Sequence, residues 1–256
     1  IRANIIPLLK QLNPNFNNSI KNTIKVIGNT NTYVNKKVDK FINNKIIEFK
    51  SIKIIKIEEM KKIPRALNYA IISKVLKEYF SYKDNLIFKN VEDTYALMLS
   101  KKPSGQVFIK KNIIVEKGYE KLYIYDAKKI PKKNFKYEVK LSDNKKYDFF
   151  KIFFTTKLKK ENYSYFKLNP NDKIVIRTFK NGDKIFYTKN KSKKLQDIFV
   201  NEKIPKFARH FIPLLLVGNE IIKIPFISAK SVKELTTNKG KLIGIKVTSD
   251  LLNKII

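Results

Sequence analysis

Apolar positions in the first third of the chain recur at helical spacing. Asn13-Pro14 reads as a helix start, with Asn at the N-cap and Pro at the first helical position. Phe16, Ile20, Ile24 and Ile27 then fall on one face up to Gly28, and Val34, Val38, Phe41 (or Ile42), Lys45 and Phe49 continue the rhythm. A second helix is predicted from Pro64, with Leu67, Ile71, Val75 and Tyr79 on one face. A shorter one covers 91–99, with Glu92 and Asp93 in its first turn, where the helix dipole favours acids.

Near residue 105 the period changes. Val107-Phe-Ile109, Ile113-Ile-Val115 and Lys121-Leu-Tyr-Ile-Tyr125 are short β-rich runs with a turn at Gly118, a small hairpin appended to the helices. Residues 128–170 alternate through Phe135, Tyr137, Val139 and Leu141, then carry Phe149-Phe150 and Phe153-Phe154 between Lys residues. Such aromatics are most often strand positions, and interleaved Lys also fits a stacking platform for bases.

The last third mixes types. Ile174-Val-Ile176 and Ile185-Phe-Tyr187 predict strands around an Asn181-Gly182 turn. Ser192 is the expected N-cap of a helix through Val200, and Pro205 opens another. Leu214–Val217 and Ile221–Ile224 form a hairpin at Gly218-Asn219, and Ile243–Val247 is a further strand. The class is α+β: an N-terminal helical domain with a small β-hairpin, then a compact α+β C-terminal domain. The expected division is 1–127, a β-rich connecting segment 128–170, and 171–256.

Charge changes this picture most. The 256 residues carry 55 Lys+Arg against 22 Asp+Glu, a formal net charge of +33. Arg occurs only at positions 2, 65, 177 and 209, which leaves 51 Lys. The excess is net +11 over 1–85, +4 over 86–130, +7 over 131–170 and +11 over 171–256, so it is not a tail on a neutral body. It points to a polyanionic partner, nucleic acid or an anionic membrane. Richness in Lys, Asn, Ile, Phe and Tyr also matches an AT-rich coding sequence, which accounts for part of the Lys but not for the shortage of acids.

Composition excludes several chemistries. With no Cys there is no disulfide, thiolate metal site or Cys nucleophile. One His, His210, makes no His cluster for a metal. Seven scattered glycines supply neither a phosphate loop nor a dinucleotide fingerprint. No catalytic residue and no metal ligand is assigned to this chain. The longest apolar run, Ile212–Val217, is far short of the roughly 20 residues of a membrane span.

What stands out is the basic stretch from Lys180 to Lys206, with Lys184, Lys189, Lys191, Lys193, Lys194 and Lys203 against only Asp183, Asp197 and Glu202. Lys193 and Lys194 are expected at a helix N-terminus, where they oppose the dipole and where two ammoniums and helix N–H groups could hold one phosphate. A solvated face is the equally open reading.

The order Arg177-Thr-Phe-Lys-Asn-Gly182-Asp183-Lys-Ile185, Ser192-Lys193-Lys194-Leu195-Gln-Asp197-Ile-Phe199, Lys203-Ile-Pro205, Arg209, Ile212-Pro213-Leu214-Leu215, Gly218-Asn219-Glu220-Ile221 and Pro225 resembles the C-terminal domain of the bacterial tRNA(Ile)-lysidine synthases. Ile1-Arg2-Ala-Asn-Ile-Ile-Pro7 is similar to the junction after that family's catalytic domain, and Ile63-Pro64-Arg65-Ala66-Leu67 to its helical substrate-recognition domain. Ser104-Gly105 with Val115–Leu122 resembles its closing hairpin, while 128–170 does not align with the family residue by residue. Phe211 departs from a frequent second Arg, Lys223 from an aromatic, Phe226 from a Gly after Pro, and Gln196 from a Lys.

The resemblance implies the tRNA-binding portion of an enzyme that uses ATP to adenylate C2 of the wobble cytidine of tRNA(Ile) with a CAU anticodon. Lysine then displaces AMP, and the codon read changes from AUG to AUA. It implies a cytoplasmic parent whose ATP, Mg and lysine sites lie in an N-terminal domain with a Ser-Gly-Gly-x-Asp-Ser loop, absent here, and leaves a homodimer of the parent open. The tRNA-binding residues it implies are Arg177, Lys184, Lys193, Lys194, Lys203, Lys206, Arg209 and Arg65, with Arg2 at the rim of the parent's active site. A general RNA-binding module is the alternative from another class. Peripheral membrane association through residues 14–27 is a third, weakened by their Asn content.

Overall fold

The apolar spacing of the first third produces helices, though with different ends. In the computed structural model, which describes residues 4–49, 51–80, 86–130, 134–159, 163–169, 172–186, 191–227 and 240–255, α1 spans Ile5–Leu12 and α2 spans Phe16–Lys45. Asn15, not Asn13, is the N-cap, and Gly28 lies inside a 30-residue helix instead of ending it. A mid-helix Gly costs only about 1 kcal/mol, too little to end the helix, and within it Thr23, Thr30 and Thr32 turn their hydroxyls onto the carbonyls of Ser19, Val26 and Gly28.

The rhythm expected to run through Phe49 breaks after Lys45. Strands β1 (Ile46–Phe49) and β2 (Ile52–Lys56) follow, then α3 (Ile57–Lys61), α4 (Arg65–Lys77, with Pro64 at its N-cap) and α5 (Phe88–Leu99). Since α5 begins at Phe88, Glu92 and Asp93 lie beyond its first turn. Tyr79 falls past the end of α4.

The chain divides into two compact units, Ile1–Ile46 with Glu58–Tyr95, and Ile47–Ile57 with Ala96–Ile256. This differs from the three-segment reading, because 96–127, 128–170 and 171–256 share one unit. In the first unit, α2 packs on α4, with Lys74 paired to Asp39 and Val38, Ile71, Ile72 and Val75 buried.

The second unit is layered. The expected hairpin is part of a five-stranded antiparallel sheet, ordered β1-β2-β5-β4-β3, where β3 is Ser104–Phe108, β4 Ile113–Gly118 and β5 Lys121–Asp126. Its inner strands are buried almost end to end, and in β2 even Lys53 is buried between Ile52 and Ile54, so burial there does not alternate with period 2. Two four-stranded antiparallel sheets follow. One is ordered β14-β13-β10-β6 and the other β7-β8-β15-β9. The strands are β6 Lys136–Lys140, β7 Lys145–Lys146, β8 Lys151–Thr155, β9 Ser164–Leu168, β10 Lys173–Arg177, β13 Leu214–Val217, β14 Glu220–Lys223 and β15 Lys241–Thr248. Ile152, Phe166, Ile174, Ile176, Leu215 and Ile243 form the core between them. A short pair, β11 (Lys184–Phe186) and β12 (Ser192–Lys194), leads into α6 (Leu195–Asn201), a 3-10 turn (Phe207–Phe211) and, at the end, α7 (Asp250–Ile255). These cover the five-stranded sheet through Tyr123, Leu195, Phe199, Phe207 and Leu252. The α+β class is thus observed, with more strand in the N-terminal half than expected.

Candidate nucleic-acid interface

The basic stretch is shaped first by one ion pair. Arg177, the last residue of β10, places two guanidinium nitrogens on the two carboxylate oxygens of Asp183, each at 2.7 Å. Nη1 also donates to the Thr178 carbonyl at 2.9 Å, and the Lys180 N–H donates to Asp183 at 2.8 Å. The side chains are only 13% and 12% exposed. Burial by itself would raise the Asp183 carboxyl, but the Arg177 guanidinium and the Lys180 N–H outweigh it and hold the group below its ordinary value. The clamp closes the turn at Gly182, which sits at φ +89°, and fixes where β11 starts.

Register does the rest. In the β11–β12 ladder Lys184 faces Lys194, Ile185 faces Lys193 and Phe186 faces Ser192. Ile185 and the following Leu195 are buried in the core, and the Leu195 N–H donates to the Asp183 carbonyl at 2.9 Å. Anchored in this way, the ladder turns Lys184 and Lys194 outward from one edge. Directly opposed residues in an antiparallel pair have Cβ atoms about 5 Å apart, and like charges there are destabilising. Among the described residues neither ammonium has an ion pair. Two cations held together against their own repulsion suit an anion bridging them.

This geometry revises the expected helix start. Ser192, Lys193 and Lys194 form strand β12, and the N-cap of α6 is Lys194 itself, with no side-chain cap. Lys193 and Lys194 alternate across a strand, so they point to opposite faces. Lys193 is half-buried beside Ile185, and the lysine that joins Lys194 is Lys184.

The other expected residues take different roles. Lys203 has φ +53° and is the left-handed residue closing α6. Its N–H donates to the Val200 carbonyl and that of Ile204 to Phe199, a Schellman motif in which Gly is usual. Lys206 is exposed just before the 3-10 turn, a shorter element than the helix expected from Pro205. Arg209 donates from Nε to the Ile204 carbonyl at 3.1 Å and lies over the Phe199 ring. His210 is half-buried in the same turn. Arg65 belongs to the first unit, where its guanidinium donates to the Tyr69 hydroxyl at 2.6 Å and stacks on Tyr69 and Tyr95. Arg2 and Lys189 lie outside the described residues. Phe226, where the family resemblance carries Gly, has φ +67°, so an aromatic residue adopts a glycine conformation there. Asp183 was the partner that charge counting missed; its signal was the Gly-Asp step six residues after Arg177.

Among the described residues there is no group of three or more acids or His that could hold a metal, and no helix long and apolar enough to cross a membrane.

Residues 174–241 match the family model of the TilS substrate C-terminal domain. A tRNA(Ile)-lysidine synthase of Clostridium perfringens is 51% identical over 78 residues, which are 29% of this chain and 16% of that protein. That of Clostridium tetani is 33% identical over 91 residues, 35% of this chain and 19% of that protein. That of Clostridium acetobutylicum is 40% identical over 76 residues, 29% and 16%. The matched part thus spans less than a fifth of these relatives. A solved structure titled "Crystal structure of TILS C-terminal domain" overlaps 45% of this chain and 98% of its own at 18% identity and a TM-score of 0.36.

Proposed function

We propose that this chain is the tRNA-binding portion of a tRNA(Ile)-lysidine synthase. The observation that carries the proposal is the Lys184–Lys194 edge, which lies within the stretch similar to the synthases' C-terminal domain. In this reading the edge, with Lys203 and Lys206, grips phosphates of a tRNA whose A-form stems expose backbone and 2′-hydroxyls more readily than base edges. Arg177 and Arg209 position the scaffold, and Lys193 lends its stem to packing and its head to diffuse attraction.

The parent enzyme joins lysine to C2 of the wobble cytidine of tRNA(Ile) bearing a CAU anticodon, with ATP and Mg supplied at a separate catalytic domain. This chain contributes catalysis by positioning alone: a tRNA held on a rigid edge is presented in one orientation. Arg65 and its tyrosine cradle supply a second contact, and the parent works in the cytoplasm.

The test is selectivity. Filter binding at fixed salt should rank a tRNA(Ile) transcript with a CAU anticodon above unrelated duplex RNA of equal length. Equal affinity for both would assign the chain to general RNA binding and remove the synthase reading.

A further inference from the structure

Residues outside 174–241 form a second surface. In the sheet β7-β8-β15-β9, one face is core, through Ile152, Phe166, Leu168, Ile243 and Ile245. The opposite face is fixed by register: Phe153 faces Lys246 across β8–β15, and Tyr165 faces Gly244 across β15–β9. Lys167 shares the Tyr165 side of β9, because side chains alternate, and Tyr163, just before β9, lies beside Tyr165.

The rings on this face are held, not loose. A Cβ on Gly244 would come within 2.7 Å of Tyr165 Cε1 and 2.8 Å of Thr155 Cγ2, so glycine lets the Tyr165 ring lie across the central strand. The Lys159 N–H donates to the Tyr165 hydroxyl at 2.7 Å and pins its far end. Tyr163 lies 6.3 Å from Tyr165, with the ammoniums of Lys159 and Lys246 at 5.8 Å and 5.6 Å from its ring centre. Phe153, Tyr163, Tyr165 and Lys246 are half-exposed, and Lys159 and Lys167 are exposed. Among the described residues no acid occupies a strand position on this face; Asp148 and Asp250 lie at one end of the sheet, beside Lys146 and Lys151.

We propose that this face is a stacking platform for unpaired RNA nucleotides, with Tyr163 and Tyr165 as the base-stacking rings and Lys159, Lys167 and Lys246 as the phosphate contacts. Half-exposed rings between cations on a sheet face are the arrangement that binds single strands with little sequence preference. A cation–π contact at an exposed site is weaker than base–aromatic stacking, so an arriving base displaces an ammonium from Tyr163, and that ammonium moves to the adjoining phosphate. Charge complementarity commits the surface to a polyanion, and the rings commit it to one with free bases. The proposal rests on the RNA-binding reading and adds a second site with a different RNA chemistry.

The test is fluorescence anisotropy of the whole chain with a labelled uridylate strand of about 12 nucleotides, a span one such sheet can cover, with the tRNA transcript run alongside. Tyr163→Leu keeps apolar bulk without a ring and should weaken single-strand binding about fivefold or more, while Tyr163→Phe keeps it within about twofold. Equal behaviour of the two variants, whether both lose binding or both keep it, overturns the platform. So does an unmodified chain that binds tRNA, or anionic vesicles, but no single strand. A chain that binds neither tRNA nor single strand overturns the tRNA-binding reading as well.

Discussion

Replacing Arg177 by Ala separates a residue that builds the interface from one that touches RNA. The substitution removes two charge-assisted bonds of 2.7 Å to Asp183 and one of 2.9 Å to the Thr178 carbonyl. Hydrogen bonds to charged groups are each worth about 1.5–3 kcal/mol, and breaking a fully buried pair costs about 3–5 kcal/mol. Here the side chains retain slight exposure and Asp183 keeps the Lys180 N–H, so the expected loss is about 2–3 kcal/mol. For a unit of this size that lowers Tm by roughly 4–12 °C. Linkage gives a second signature. The folded-state pKa of Asp183 is depressed, so its contribution is present above the ordinary value of 3.8 and is lost as pH falls through the folded value. Arg177→Ala should flatten this acid limb. Urea unfolding followed by circular dichroism at pH 7 and at steps down to pH 3 reads both. A variant within about 0.5 kcal/mol of the parent, or with an unchanged acid limb, refutes the clamp. Measured where the variant is folded, the salt slope of tRNA binding should not move; a fall of about 1 would put Arg177 on a phosphate instead.

Three further substitutions probe the same frame. Lys203→Gly relieves the left-handed backbone and should raise stability by about 0.5–1 kcal/mol in urea unfolding while weakening tRNA binding; lower stability would contradict the Schellman assignment. Gly182→Ala adds a Cβ that meets no atom within 4 Å, so its cost is backbone strain alone, about 1–2 kcal/mol by thermal melting, and a neutral result would contradict a required positive φ. Lys117→Met strips the buried ammonium from the Met98 and Ser100 carbonyls at the end of α5 and should cost about 2 kcal/mol, with faster amide exchange around Ser100 as its local mark.

Long periodic stretches and paired strands were legible in the sequence. α4, the β13–β14 hairpin and β10 stand close to where spacing and turn residues put them, because each has a local signal: Pro64, Gly218-Asn219 and an isolated Ile-Val-Ile run. β1 and β2 were not: β1 is a four-residue strand that continues the apolar spacing of α2 directly after Lys45, and β2 is buried through Ile55, Lys53 included, so its burial does not alternate. Gly28 misled because one glycine inside a long helix costs only about 1 kcal/mol and does not end it. In the site, sequence located the basic stretch but not its pairing. Adjacency suggested Lys193 with Lys194, whereas the ladder joins Lys184 to Lys194, a contact across ten residues that only register reveals. Arg177 looked like a free cation because its counter-charge, Asp183, reaches it only after the chain turns.

The most direct measurement of the central claim is the salt dependence of tRNA binding by the Lys184→Ala, Lys194→Ala double variant. If this edge holds phosphates, the plot of log affinity against log salt should lose about 1–2 units of slope, with weaker binding and a fold no less stable than the parent. An unchanged slope with intact folding would show that the opposed lysines do not touch the RNA.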